Sequence, residues 1–221
     1  MAQSKGWNWD HEKAERAVHL KPTEYGYYFA NVWRQAGRET VLDLGAGLGR
    51  HAICFAKGGL KVSAVDMSES GIKHLRAWAD EENLEVDTQI GDMLSLPYAD
   101  ESFDCVFAYH VISHSDSVGI RKIIGEIERV LKPGGEVFLS FSSKETTDFM
   151  ESARPKTDAN TMLWYDGPDT GASPILYVDL ADIIDLLANF KVNSVKHTEY
   201  CSLDTTHQRH SKYYYVSAVL E

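Results

Sequence analysis

The chain has no long hydrophobic run, few cysteines and no excess of positive charge. No apolar stretch approaches the ~18 residues that a membrane-spanning helix requires, which argues against a membrane protein. The three cysteines (Cys54, Cys105 and Cys201) are odd in number and widely spaced, which argues against a disulfide scaffold and predicts reduced thiols in a cytoplasmic protein. The first ten residues lack a basic stretch followed by an apolar one, so we expect no signal peptide. The net charge of -11 disfavours nucleic acid as the main partner, because such binding depends on lysine and arginine contacts to phosphate.

The composition and the order of the segments predict a single α/β domain. The 221 residues, 43% of them apolar and 25% charged, suit one globular domain. From residue 40 onward, strand-like and helix-like stretches alternate, which predicts a parallel sheet with helices on both faces. The predicted strands are 40–44, 61–65, 86–90, 103–109 and 136–141, and the predicted helices are 48–57, 68–83 and 118–131.

The last third of the sequence has a different pattern. Residues 142–174 are polar and rich in Asp, Thr, Gly and Pro, which predicts a long excursion with a short helix near 147–153. A helix over 179–189 and two strands over 191–200 and 212–220 would follow, and the two strands would form an antiparallel hairpin. We therefore divide the domain 1–221 into four parts. These are a helical, aromatic-rich cap (1–38), a binding core (39–142), an insertion on the substrate side (143–178), and a helix with a terminal hairpin (179–221).

A glycine-rich loop follows the first predicted strand. Gly45, Gly47 and Gly49 lie between that strand and a helix, and an acid, Asp66, ends the second strand. Glycines at this place allow a sharp turn and a close approach of ligand to backbone, and the acid can hold the hydroxyls of a ribose. The dinucleotide fingerprint would need glycine at position 50, where the chain has Arg50, so the loop favours S-adenosylmethionine (SAM) over NAD. The alternative is an ordinary strand-to-helix turn.

Four segments in order resemble the class I SAM-dependent methyltransferases, in particular small-molecule enzymes of the methyltransferase-11 or -25 kind. The segments are VLDLGAGLGRHA, VSAVDMS, IGDMLSLPYADESFDCVFAYHVISH and VLKPGGEVFLSFS, which together cover about residues 39–142. The resemblance implies a Rossmann-like three-layer sandwich with an N-terminal helical addition. It also implies a seven-stranded sheet in the order 3-2-1-4-5-7-6 with strand 7 antiparallel, SAM as cofactor and S-adenosylhomocysteine (SAH) as product.

The resemblance also assigns roles to particular residues. Asp43 would hold the amino group of SAM, and the loop glycines would approach its methionine part. Asp66 would hold the ribose, while Asp92 and Met93 would bracket the adenine; alternatively, Asp92 caps a turn and Met93 belongs to the core. The full expected cofactor set is Asp43, Gly45, Ala46, Gly47, Gly49, Asp66, Met67, Asp92, Met93 and Tyr109, the last beside the sulfonium.

The segment after the fourth strand argues against two substrate classes. It has neither the Asn/Asp-Pro-Pro-Tyr tetrapeptide of DNA and glutamine amino-methylases nor a Pro-Cys pair for C5-pyrimidine methylation. We therefore predict methyl transfer to an O or N nucleophile of a small molecule. Three alternatives stay open: a tRNA or protein substrate, a SAM-binding protein without catalysis, and an NAD(P)-dependent oxidoreductase that Arg50 disfavours. Nothing in the sequence specifies an oligomeric state.

Two residue pairs are candidates for the acceptor side. His110 and His114 are four residues apart and could share a helix face as a general base and its neighbour, as two metal ligands, or as structural residues; we predict no metal. The segment 142–174 would act as a mobile cover over the acceptor pocket and exclude water. Within it, Trp164 and Tyr165 would either reach into the pocket or anchor the loop to the domain surface.

Overall fold

Helices and strands alternate from Thr40 to the end of the chain, as the sequence predicts. The computed structural model describes residues 17–151, 153–165, 172–202 and 209–221, so Trp7, Trp9 and His207 lie outside the described residues. The helices are α1 (Ala17–Leu20), α2 (Glu24–Gln35), α3 (Arg50–Lys57), α4 (Glu69–Glu81), α5 (Ser117–Val130), α6 (Thr147–Glu151) and α7 (Leu180–Leu186). The strands are β1 (Thr40–Leu44), β2 (Lys61–Asp66), β3 (Val86–Ile90), β4 (Phe103–Ala108), β5 (Leu131–Ser143), β6 (Thr161–Tyr165), β7 (Ala172–Val178), β8 (Phe190–Ser202) and β9 (Arg209–Leu220).

The described strands form one nine-stranded sheet around a parallel core. Strands β3, β2, β1, β4 and β5 are neighbours in that order and run parallel. The terminal hairpin adds β9, antiparallel to β5 along Glu136–Ser142, and then β8 at the edge. With the two insertion strands set aside, this is the predicted order 3-2-1-4-5-7-6 with its seventh strand antiparallel, so the expected topology is confirmed.

Two layers of helices bury the two faces of the sheet. One apolar cluster contains the buried side of α5, with Ile120, Ile123 and Ile127, packed against β4 and β5. The other contains Phe29 and Trp33 of α2 together with α3 and the opposite sheet face. A parallel strand buried on both faces has a continuous apolar run in its sequence, as residues 105–108 of β4 show. Among the described residues, no helix is long and apolar enough to cross a membrane.

The insertion contains a β-hairpin that its composition did not predict. The short helix expected near 147–153 is present as α6, but β6 and β7 pair antiparallel from Thr161↔Leu176 to Tyr165↔Ala172. β7 also joins the sheet, pairing with the carboxyl end of β5 at Ser142↔Tyr177 and Ser143↔Val178. Pro174 lies within β7, although a proline inside a strand normally argues against that strand. Burial of Met162 and Leu176 outweighs this unfavourable effect of the proline.

Candidate functional site

A cavity of about 260 Å³ opens at the carboxyl ends of β1, β2 and β4. This edge of an open parallel sheet is where ligands bind in such folds. The cavity is lined by His19, Leu44, Gly45, Ala46, Gly47, Leu48, Arg50, His51, Val65, Asp66, Met67, Gly91, Met93, Tyr109, His110, Val111 and His114. Seven of the ten residues expected to hold a cofactor are therefore brought together, whereas Asp43, Gly49 and Asp92 do not line the cavity.

The glycine loop is bent in a way that requires glycine. Gly45, Gly47 and Gly49 have φ angles of +69°, +55° and +93°, in the left-handed region that side chains disfavour. The amides of Gly45 and Ala46 donate to the carbonyl of Val65 at 2.8 and 3.1 Å, which ties the loop to the end of β2. Because Gly49 takes the N-cap position, α3 begins at Arg50, two residues later than predicted.

Two of these glycines also make room for neighbouring side chains. A Cβ built on Gly45 would lie 2.1 Å from Cγ2 of Val111, and one on Gly49 would lie 2.3 Å from Cδ1 of Leu75. Distances this short are not tolerated by real Cβ atoms. The loop therefore packs against the segment after β4 on one side and against α4 on the other.

Asp66 links the glycine loop to the start of α4. Its Oδ2 accepts from the amide of Gly47 at 2.8 Å, and its Oδ1 accepts from the amide of Ser68 at 2.8 Å. Burial raises the pKa of this carboxyl, and the two amide donors oppose that rise. A carboxylate has about four lone-pair sites, so two acceptor positions remain for a ligand in the cavity.

Asp43 is a buried acid on β1, two residues before the glycine loop. Its exposed fraction is 2%, and its Oδ2 has no hydrogen-bond partner among the described residues. Burial raises its pKa to about 7, while the amide of Ala52 and the charge of Arg50 oppose the rise. A buried acceptor without a donor is costly, so this oxygen is suited to a cationic or hydrogen-bond-donating group.

Asp92 and Met93 lie in a tight turn after β3. Oδ1 of Asp92 accepts from the amide of Leu94 at 2.9 Å, so the carboxylate caps this turn as the alternative interpretation expects. Met93 is buried in the core and also lines the cavity. Met93 therefore borders the cavity, whereas Asp92 does not line it.

The residues after β4 form a stack of aromatic rings. The ring of His110 lies between those of Tyr109 and Tyr213, with centroid distances of 4.1 and 4.2 Å. Its Nε2 is 3.1 Å from the hydroxyl of Tyr215, which lies 3.3 Å from that of Tyr200. Burial, together with the charges of Arg50 and His114, lowers the pKa of His110 to about 3. The imidazole is therefore neutral near pH 7 and joined to a chain of phenol groups.

His110 and His114 do not share a helix face. His110 has a φ of +53°, and its amide donates to Oγ of Ser140 at 2.6 Å. His114 lies in a turn in which its amide donates to the carbonyl of Val111 at 2.9 Å. Both histidines line the cavity. No cluster of three or more metal-ligating side chains occurs among the described residues.

Trp164 and Tyr165 lie on β6 and are not among the cavity-lining residues. The guanidinium of Arg154 lies 3.5 Å from the ring centroid of Trp164, a cation–π contact. Tyr165 is 51% exposed. Their participation in an acceptor site stays a prediction.

Sequence reasoning missed several cavity residues. His19 and His51 line the cavity. Two tyrosines of β9, Tyr213 and Tyr215, do not line it but contact His110, which does. The one available signal was the position of His51 directly after the glycine loop. The partners of these residues are distant in sequence, so periodicity does not reveal them.

Residues 41–135 match a family model described as a methyltransferase domain. This stretch, which is less than half of the chain, is similar to the class I SAM-dependent methyltransferases, enzymes whose methyl donor is SAM. The chain is 32% identical over 133 residues to norajmaline N-methyltransferase of Rauvolfia serpentina, covering 58% of this chain and 45% of the relative. It is 37% identical over 101 residues to malonyl-[acyl-carrier protein] O-methyltransferase of Erwinia pyrifoliae, covering 45% of this chain and 36% of the relative. The chain thus spans less than half the length of these two relatives.

Solved structures share the fold over nearly the whole chain. A SAM-dependent methyltransferase from Clostridium acetobutylicum has a TM-score of 0.69 at 12% identity, covering 95% of this chain and 96% of that one. The 1,6-didemethyltoxoflavin-N1-methyltransferase of Burkholderia thailandensis, solved with its substrate and SAH, has a TM-score of 0.64 at 18% identity, covering 95% and 83%. At these identities the likeness concerns the fold alone.

Proposed function

We propose that this chain is a SAM-dependent methyltransferase that acts on a small molecule. The observation that carries the proposal is the cavity at the carboxyl ends of β1, β2 and β4, bordered by the glycine loop and Asp66. The net charge of -11 favours a small or cationic acceptor over a nucleic acid.

The residues around the cavity fit SAM. Its methionine part would lie against Gly45, Ala46, Gly47 and Gly49, with the buried Oδ2 of Asp43 available to its amino group, directly or through water. The remaining acceptor sites of Asp66 would take the ribose hydroxyls. Adenine would lie near Met67, Asp92 and Met93. When bound, SAM supplies a methyl group activated on a sulfonium, and this chain's task is to align the nucleophile and exclude water.

The acceptor would approach from the side of Tyr109, His110 and His114. Nε2 of His110 is joined to Tyr215, so Nδ1 would accept a proton in the tautomer in which Nε2 carries the hydrogen. A group with a pKa of about 3 holds a proton weakly, so His110 would orient a nucleophile more readily than it would deprotonate one. The element that receives the methyl group is a proposal as well: an O or N nucleophile, as in the two relatives named above.

Ligand binding tests the cofactor half of the proposal. Calorimetry with SAM, SAH and NAD should show binding of the first two and none of NAD. Asp66→Ala should weaken SAH binding by about 1–3 kcal/mol, the usual cost of losing charge-assisted hydrogen bonds. Asp66→Asn is the matched variant of equal side-chain volume: it keeps one acceptor oxygen but turns its NH2 group toward the amide of Gly47 or Ser68, so it should also weaken SAH binding if the carboxylate, not its volume, is what matters. Binding of NAD without binding of SAM, or unchanged SAH affinity in a folded Asp66→Ala variant, would contradict the assignment.

Transfer of a labelled methyl group tests the acceptor half. The purified chain with methyl-labelled SAM would be offered small-molecule extracts, bulk tRNA and denatured protein as separate fractions. Label should move into the small-molecule fraction. Transfer into tRNA or protein would replace the small-molecule proposal, and SAM binding with no transfer into any fraction would support a non-catalytic SAM-binding protein.

A further inference from the structure

A buried hydrogen bond joins the amino-terminal helices to the first turn of α3, beside the cavity. His51 is the second residue of α3 and is 5% exposed. Its Nε2 lies 3.1 Å from Oγ1 of Thr23 and accepts from the amide of Thr23 at 3.4 Å. Thr23 is the N-cap of α2, and its Oγ1 accepts from the amide of Gly26. The contact therefore links a cavity-lining residue to the point where α2 begins.

The direction of these hydrogen bonds defines the protonation state of His51. Since Oγ1 of Thr23 already accepts from Gly26, its own proton is available for donation to Nε2 of His51. The amide of Thr23 also donates to Nε2, so this nitrogen must be unprotonated. Burial and the charge of Arg50 lower the pKa of His51 well below its usual value. His51 is thus neutral, with its proton on Nδ1.

The packing at this contact is as close as the backbone permits. A Cβ built on Gly26 would lie only 2.8 Å from Cδ2 of His51, so α2 approaches the edge of the imidazole directly. The other side of the ring faces Phe107 and Tyr109, at centroid distances of 4.9 and 5.3 Å. The imidazole is therefore held between the start of α2 and the rings at the end of β4.

The contact bears on the cavity because α1 ends three residues before Thr23. His19 of α1 lines the cavity, whereas the rest of α2 is docked independently through Phe29 and Trp33, both buried in the core. The Thr23–His51 hydrogen bond thus ties the segment that carries His19 to α3, while α2 has buried contacts of its own.

We propose that His51 is a positioning residue that holds α1 in place as a wall of the cofactor cavity, through its hydrogen bond with Thr23. The inference rests on the proposed SAM site and concerns how that site is closed. The neutral imidazole supplies the acceptor, Gly26 allows the close approach, and the cavity wall contributed by His19 depends on both.

The test compares His51→Phe with His51→Gln, using SAH as the probe. Phenylalanine keeps a ring between Phe107 and Gly26 but removes the acceptor, while glutamine retains an acceptor oxygen for the Thr23 hydroxyl. His51→Phe should weaken SAH binding about fivefold, the effect of one lost hydrogen bond, chiefly through faster dissociation. Hydrogen exchange should speed up at residues 17–23 and stay unchanged at 29–35. His51→Gln should behave nearly as the wild type.

A second pair of variants probes the same contact from the other side. Thr23→Val removes the hydroxyl and Thr23→Ser keeps it. Only Thr23→Val should therefore reproduce the weaker SAH binding and the faster exchange expected of His51→Phe. This pair tests the contact even if His51→Phe does not fold. Wild-type SAH affinity and wild-type exchange at 17–23 in folded His51→Phe or Thr23→Val would overturn the inference. Failure of the wild type itself to bind SAH would overturn the proposed function instead.

Discussion

Replacement of Asp43 by asparagine should stabilise the ligand-free protein at alkaline pH while impairing its binding site. The carboxyl group is buried, its Oδ2 has no partner among the described residues, and burial raises its pKa to about 7. Asparagine has nearly the same shape and can still accept from the amide of Ala52, but it carries no charge. The variant therefore removes an ionisation that the fold opposes.

The sign and size of the effect follow from the two pKa values. An ordinary aspartate has a pKa of 3.8, and that of Asp43 in the fold is about 7, so the folded state binds the proton more tightly than the unfolded state. The stability that protonated Asp43 contributes is complete below pH 3.8 and is lost as the pH rises through 7. At roughly 1.4 kcal/mol for each pH unit between those values, the loss amounts to about 4 kcal/mol at its limit. Asp43→Asn should not show this loss of stability, because asparagine does not ionise.

Urea unfolding at a series of pH values measures this difference. The free energy of unfolding of Asp43→Asn minus that of the wild type should increase steadily between about pH 4 and pH 8. Asp104→Asn is a control without a slope in this range: Lys132 and the amides of Glu39 and Thr40 hold the pKa of Asp104 below its usual value, so its stability difference from the wild type should stay constant between about pH 4 and pH 8. Calorimetry should show weaker SAH binding by Asp43→Asn. A stability difference that does not change with pH would refute the assigned ionisation.

Three further predictions concern the loops around the cavity. Gly45→Ala should destabilise the fold and weaken SAH binding at least about tenfold, because its Cβ would collide with Val111. Thermal unfolding and calorimetry should show partial recovery of stability and binding when Val111→Ala is added, and no recovery would contradict this explanation. His110→Phe should make the fold less sensitive to acid. The pKa of His110 in the fold, about 3, lies below the ordinary 6.5, so the stability that the neutral imidazole contributes above pH 6.5 is lost as the pH falls toward 3. Equal losses of the free energy of unfolding between pH 7 and pH 4 in the wild type and the variant would refute this prediction. The segment 142–174 should gain protection from hydrogen exchange when SAH and an acceptor bind together, whereas equal protection with and without ligands would rule out a cover.

The sequence predicts the cofactor half of the fold because its signals are local. Glycines at 45, 47 and 49 between an apolar strand and a helix are sufficient to indicate the loop, and Asp66 follows directly after an apolar strand. Alternation likewise predicts the terminal hairpin, which determines that Tyr213 and Tyr215 share one face of β9. These features depend on residues within a few positions of one another.

Features that depend on distant contacts were not predictable in this way. The strand order implied by the resemblance places β9 beside β5, but no local pattern says that Tyr215 would face His110, a contact between residues 105 positions apart. The Thr23–His51 contact spans 28 positions. The hairpin of β6 and β7 was missed because its stability comes from burial of Met162 and Leu176 within a segment that is otherwise polar. The proposed roles of His110, His114, Trp164 and Tyr165 stay predictions.

The contact between Gly45 and Val111 limits how this scaffold can be re-engineered. Val111 occupies the space that any side chain at position 45 would need, so the segment after β4 and the glycine loop fit together as one unit. A chimera that grafts the corresponding segment from another methyltransferase would have to match the residue at 111 to the glycine at 45, even where neither changes the chemistry. The hairpin of β6 and β7 is held by burial of Met162 and Leu176 and by backbone hydrogen bonds, such as that from the amide of Leu176 to the carbonyl of Ser113. Its exposed positions, such as Tyr165, can change without disturbing either, so side chains would be replaced more readily there than on the segment next to the loop.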